Sequence, residues 1–126
     1  MAQQGIRPTE EQLKALERKH GDVYLVNIGP HTVALRPWKR AEYEAMKADL
    51  LDERRRSSAF ELAARDAIVF PGLDAMESIA ERYPGVWDRC GKVLNEVADG
   101  EQVISAKKYD SSSTPQEQTQ ASQPGA

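Results

Sequence analysis

The stretch Asp22-Val23-Tyr24-Leu25-Val26-Asn27-Ile28-Gly29-Pro30-His31-Thr32-Val33-Ala34-Leu35-Arg36 decides the fold class of this chain. Val23–Ile28 and Thr32–Leu35 are rich in residues that favour a pleated backbone, and Gly29, Pro30 and His31 between them supply turn chemistry. Two such runs with so short a break form a β-hairpin. A lone hairpin is marginal in water, so its apolar face must pack on helices or its edge must pair with another chain.

On the N-terminal side, Thr9 and Gln12 have capping-box spacing ahead of a helix over 9–20. Glu10 and Glu11 in its first turn, and Arg18, Lys19 and His20 in its last, suit the helix dipole. Gly21 stops it. Its apolar content is thin, essentially Leu13 and Leu16, so residues 1–21 read as a surface helix.

On the C-terminal side, Pro37 ends the second strand and a helix is expected from Trp38 to about Glu53, with Tyr43, Met46 and Leu50 inward. Ser57 or Ser58 then caps a helix over 59–69, in which Phe60, Ala63, Ala64, Ala67 and Ile68 form an apolar stripe. Phe70-Pro71-Gly72 breaks it. A short helix capped by Asp74 runs to Arg82, and Pro84-Gly85 separates it from a last helix over 86–98. The fold class is therefore mostly α with a small β-hairpin (α+β), a compact domain over 22–108 with four to five helices in the whole chain. Phe60, Ala64, Ile68, Val86, Val93, Leu94 and Val97 are the expected core. From Tyr109 to Ala126 the chain turns to Ser, Thr, Gln, Pro and Gly, which cannot offset the entropy of ordering, and a disordered tail is expected.

Hydrophobic residues make up 40% of the 126 and charged residues 29%, a globular balance. The net charge of −3, with mixed signs throughout, argues against a broad nucleic-acid or membrane surface. The N-terminus lacks the charged-then-apolar pattern of a signal peptide, no apolar run reaches the ~20 residues of a membrane span, and a single cysteine forms no internal disulfide. A cytoplasmic protein is the simplest expectation.

Catalysis has little to stand on. His20 is explained by its place at a helix C-terminus, and His31 reads as a solvated loop residue. Cys90 lies within an apolar stripe, as a buried structural thiol does. One cysteine and two separated histidines give no metal spacing, and no Gly-rich loop opens a helix to cradle a phosphate. The expectation is a binding protein, with no enzyme activity and no cofactor. Arg54, Arg55 and Arg56 form the only basic run, without the interleaved aromatics of a nucleic-acid motif. Trp38 and Trp87 stand at helix starts, where large aromatics serve as core pegs or interface anchors. Leu13, Leu16, Tyr24, Trp38, Arg54, Arg55 and Arg56 are the candidate partner-binding residues.

Three stretches together resemble the small tail assembly chaperones of long-tailed bacteriophages: Arg36-Pro37-Trp38-Lys39-Arg40-Ala41-Glu42-Tyr43, Ala67-Ile68-Val69-Phe70-Pro71, and Glu81-Arg82-Tyr83-Pro84-Gly85 with the helix that follows to Gly100. The resemblance spans about Val23 to Gly100. It implies no catalytic residues. It implies a role in the host cytoplasm, holding the aggregation-prone, coiled-coil tape-measure protein, or another tail protein, while tube subunits assemble around it. Homo-oligomerisation fits a chain this small. Two other readings stand beside it: a small virion component such as a head–tail connector or minor tail protein, and a nucleic-acid-binding regulator using Arg54–Arg56.

Overall fold

The structure, a computed structural model, describes residues 5–100, 102–103 and 106–110. The hairpin forms where the sequence places it. Strand β1 (Tyr24–Ile28) pairs antiparallel with β2 (His31–Leu35), from Tyr24 opposite Leu35 to Ile28 opposite His31. The two-residue turn needs a positive φ at its first central position, and Gly29 supplies it with φ +56°. A side chain there would also run into the Tyr83 hydroxyl.

The hairpin is the centre of a four-stranded antiparallel sheet in the order β3-β2-β1-β4. Strand β3 (Ile68–Phe70) lies along β2, and the two-residue β4 (Lys107–Lys108) lies along β1. Beyond β3, the edge of β2 is met by the N-terminal segment, where Thr32 N donates to Ile6 O at 2.9 Å. The partners that an exposed hairpin edge demands thus come from within the chain.

Residues 68–70 correct the expected helix over 59–69. Helix α3 stops at Arg65, spanning Ala59–Arg65, and Ile68–Phe70 is strand. Ile68 lies opposite Leu35 and Phe70 opposite Ala34, so Val69 is an extra residue bulged out of the pairing. A β-branched pair followed by Phe and Pro fits a pleated edge, and the open side of β2 decides between two readings of the same apolar run.

The other helices are α1 (Glu10–His20), α2 (Arg40–Leu51), α4 (Leu73–Arg82) and α5 (Val86–Ala98), giving five α-helices among the described residues. The α1 capping box is present: Gln12 N donates to Thr9 Oγ1 at 3.1 Å, and Thr9 N to Gln12 Oε1 at 2.8 Å. Helix α2 is shorter than expected because Asp52–Arg55 leaves the helical path and a 3₁₀ turn at Arg56–Ser58 leads into α3. Gly72, not Asp74, holds the cap position of α4.

Both faces of the sheet are covered. On one, Tyr24, Val26, Ile28, Val33 and Leu35 meet Ala64, Met76, Ile79, Val86, Trp87, Cys90, Val93 and Leu94 from α3, α4 and α5. On the other, Val23 and Ala34 pack with Leu13 of α1 and with Tyr109, flanked by Leu16, Leu25, Val69 and Phe70. Four of the seven expected core residues (Ala64, Val86, Val93, Leu94) are fully buried. Phe60, Ile68 and Val97 are half-buried at the margin. The sheet itself fills the centre that the helical stripes alone appeared to define.

Tyr109 corrects the expected start of the tail. It is 4% exposed, its N–H donates to Val23 O at 2.7 Å, and its hydroxyl donates to Glu10 at 2.8 Å. Lys108 pairs with Asp22 at 3.2 Å. Residues 106–110 are therefore part of the fold, and the rest of the expected tail, 111–126, lies outside the described residues. His31 is also not solvated: it is buried, and its Nδ1 accepts from the N–H of Ile6 at 2.9 Å.

Helices α3 and α5 approach closely because α5 carries Gly91 opposite Phe60. A Cβ at Gly91 would lie 2.5 Å from Phe60 Cβ, an atom that cannot swing aside. Gly91→Ala is therefore expected to cost about 1–3 kcal/mol by overpacking, despite the better helix propensity of alanine. Leu94→Ala, at a fully buried site, is expected to cost about 2–5 kcal/mol. Urea unfolding of each variant against the parent checks both; a Gly91→Ala protein as stable as the parent would mean the two helices are not in contact there.

Candidate partner-binding surface

The four apolar candidates from the sequence are spent inside the fold. Leu13 and Tyr24 are buried in the two clusters on opposite faces of the sheet, and Leu16 is half-buried beside the first of them. Trp38 is half-buried, with Nε1 donating to Ala63 O at 2.8 Å and its ring 6.2 Å from that of Tyr43. It acts as a peg joining the start of α2 to α3. Trp87 is buried, and the Arg65 guanidinium lies 5.0 Å from its ring centre.

The Arg54–Arg56 run is exposed but wraps the end of α2. Arg55 reaches Asp49 at 3.6 Å, Arg56 Nε donates to Leu50 O at 3.0 Å, and the backbone N–H of Arg54 is held by Asp52. These contacts tie Arg55 and Arg56 to the end of α2, and the run is not brought together with Leu13, Leu16 or Tyr24 in either apolar cluster.

Among the described residues, three large apolar side chains do stand in solvent: Leu51 (83% exposed), Leu62 (47%) and Leu73 (53%). Two of them border grooves. Between α2 and α3, Glu42, Ala45, Met46, Asp49, Leu62 and Asp66 are among the residues lining a cavity of about 140 Å³. Asp66 also borders a second cavity of about 380 Å³, whose walls include Val69, Pro71, Leu73, Met76 and Trp87. The flank of α3 thus carries two adjoining depressions, with Leu62 in one wall and Leu73 in the other.

A signal for two of these leucines exists in the sequence. Leu62 falls off the Phe60–Ala63–Ala64 stripe, Leu51 falls off the Tyr43–Met46–Leu50 stripe, and Leu73 follows a Pro-Gly break. For Leu62 and Leu51 the helix has no inward place, whereas Leu73 is spaced i, i+3, i+7 with Met76 and Ala80 and carries no such signal.

The lining is more acidic than basic. Arg36 grips Glu42 with both arms of its guanidinium, at 2.9 and 2.8 Å, and donates to Asp66 O at 3.0 Å. That hydrogen bond, with the backbone N–H of Lys39 and the nearby positive charge, holds the Glu42 carboxyl below its usual value of 4.5 against the opposing effect of burial. Arg65 is shared between Glu61 at 2.8 Å and Glu77 at 3.5 Å.

The two large pKa displacements lie away from this surface. Burial pushes the Cys90 thiol up to about 12, so no thiolate forms at neutral pH. Burial, with Glu10 beside the hydroxyl, raises Tyr109 to about 12. Among the described residues, no cluster of three or more His, Cys, Asp or Glu side chains could hold a metal ion, and no helix is long and apolar enough to cross a membrane. No protein-family model, curated protein or solved structure gives a significant match to this chain.

The Arg36–Glu42 pair fastens the exit of β2 to the first turn of α2, with side chains 12% and 23% exposed. Because the folded pKa of Glu42 is depressed, its stabilisation is present above about pH 4.5 and is lost as pH falls through the folded value. Glu42→Gln is expected to lower stability at pH 7 by on the order of 1 kcal/mol, and the gap from the parent should close in strong acid. Thermal melts between pH 2 and 7 check this; a pH-independent gap would assign the loss to packing instead.

Proposed function

We propose that this protein is a non-enzymatic assembly chaperone that binds an amphipathic helical segment of a long partner through the α2–α3–α4 flank. The observation that carries the reading is the pair of exposed leucines, Leu62 and Leu73, in the walls of adjoining grooves. Each groove offers apolar surface to the spaced anchors of a helix, and Asp49 and Asp66 favour a client with basic residues beside those anchors. Few groups on this flank are suited to chemistry, and its arginines are already paired with carboxylates.

The likeness to phage tail assembly chaperones supplies the client, the tape-measure protein, and the setting, the host cytoplasm during virion assembly. A chaperone of this kind holds its client transiently, since the tube must later displace it. Moderate affinity from a few apolar anchors suits that task better than a large obligate interface. An edge strand offered to a partner has no part in this reading, because β3, β4 and the segment at Ile6 lie along the hairpin.

Co-expression with the tape-measure protein of the same phage tests the reading. The expected outcome is a soluble client that co-purifies with the chain at low and high salt, with a negative heat-capacity change on association. Leu62→Glu with Leu73→Glu is expected to weaken binding at least tenfold, about 1.4 kcal/mol or more, while leaving the fold intact because both side chains are exposed. No gain in client solubility and no co-purification would sink the chaperone reading. Recovery of the chain in purified virions would favour a connector or minor tail protein.

A further inference from the structure

A second surface lies at the hairpin turn and the α4–α5 turn, at the other end of α4 from Leu73. A cleft of about 390 Å³ is lined by Ile28, Gly29, Arg82, Tyr83, Pro84, Gly85, Val86 and Arg89. Its volume falls within the range of small-ligand pockets, about 300–1,000 Å³. Ile28 and Val86 bring buried apolar side chains to it, and Tyr83 stands between them, its hydroxyl packed so close to Gly29 that only glycine fits there.

The charge of this cleft is one-sided. Arg82 and Arg89 are exposed, and neither has a carboxylate within ion-pair distance among the described residues. Glu81 and Asp88, their neighbours in sequence, line no part of it. Arg7 is fixed to the same turn, its Nε donating to Pro30 O at 3.0 Å. Arg36, Arg55 and Arg65 are each matched to acids, and Arg54 and Arg56 have no ion pair among the described residues either, but Arg82 and Arg89 are set around one cleft. Unpaired arginines beside an apolar floor are the complement of an apolar side chain flanked by carboxylates.

We propose that the cleft between the β1–β2 turn and the α4–α5 turn docks an acidic peptide segment of a partner protein. One apolar side chain of that segment enters against Ile28, Tyr83 and Val86, and its carboxylates meet Arg82 and Arg89. The site is independent of the helix-binding flank, so the chain carries two recognition surfaces of different chemistry: an apolar groove with an acidic lining, and an apolar cleft with a basic rim.

The test is a titration of the isotope-labelled full chain with a synthetic hexapeptide, a Leu-Phe pair flanked on each side by two glutamates, followed by amide chemical shifts. Shifts are expected at Ile28, Gly29 and 83–89, with little change along α2 and α3. Binding should weaken as salt rises. Arg82→Glu with Arg89→Glu should weaken it at least tenfold while leaving the rest of the spectrum unchanged. Arg82→Gln with Arg89→Gln should fall between, which separates charge from any general disturbance. The proposal is overturned if the peptide does not bind, if its glutamine counterpart binds equally well, if the double variants bind as the parent does, or if the shifts fall elsewhere. Inorganic phosphate reproducing the same shifts at the same concentration would also overturn it, by reducing the cleft to an anion site. The Leu62→Glu with Leu73→Glu protein should bind the hexapeptide normally, so failure of the chaperone reading and failure of this one are distinguishable.

Discussion

The hairpin of β1 and β2 has two edges and two faces, and most of the chain is placed by what those four surfaces need. Unpaired backbone N–H and C=O groups along an edge invite another strand, and a face with Val26, Val33 and Leu35 must be kept from water. The chain answers on one edge with the bulged strand at Ile68–Phe70, just after α3. It answers from its far end on the other, where Lys107 and Lys108 return to β1. One face receives α3, α4 and α5, and the other receives α1 with Tyr109. The result is a thin sheet between unequal layers, in which α1 is a cover for the second face and not a detached arm.

What the sequence disclosed follows the range of the interaction that decides each element. The α1 capping box joins residues three apart, and the Gly29 turn joins neighbouring strands, so both are legible. The α5 stripe is legible because Val86, Cys90, Val93 and Leu94 repeat at helical spacing, and all four are buried. Ile68–Phe70 was not, because a short apolar run satisfies both periods and only the free side of β2, more than thirty positions away, chooses between them. Tyr109 was hidden more deeply. It stands at the head of a polar tract, and the residues that bury it, Leu13, Val23 and Ala34, belong to the first third of the chain. A composition argument that looks along the sequence cannot see such a partner.

The candidate surface shows the same asymmetry. Large apolar residues on thin elements, Leu13 and Tyr24, looked like anchors awaiting a partner because the packing on the two faces of the sheet was unseen. Of the leucines that remain in solvent, Leu51 and Leu62 were legible only as misfits to their own helices, and Leu73 was not legible at all. Arg54–Arg56 drew notice as a run, but a run of like charges says little until its neighbours are known. Asp49 and the carbonyl of Leu50 engage Arg55 and Arg56 at the end of α2. Arg82 and Arg89, seven positions apart with a Pro-Gly break between them, form no motif in one dimension, and only the fold sets them around one cleft.

The return of β4 to β1 has a consequence for how the protein is made. Tyr24 pairs with Lys108, and Val23 with Tyr109, so strand β1 has no neighbour on that side until nearly the whole of the described chain has been synthesised. The hairpin, β3 and the helical layer can assemble as the ribosome delivers them, but the last edge closes only after release of the C-terminal segment. During translation the nascent protein therefore exposes a bare strand edge, and a second face covered by α1 but not yet by Tyr109. Synthesis that stopped before Lys107 would leave that edge open, and it would be as apt to pair with a second unfinished chain as with anything else.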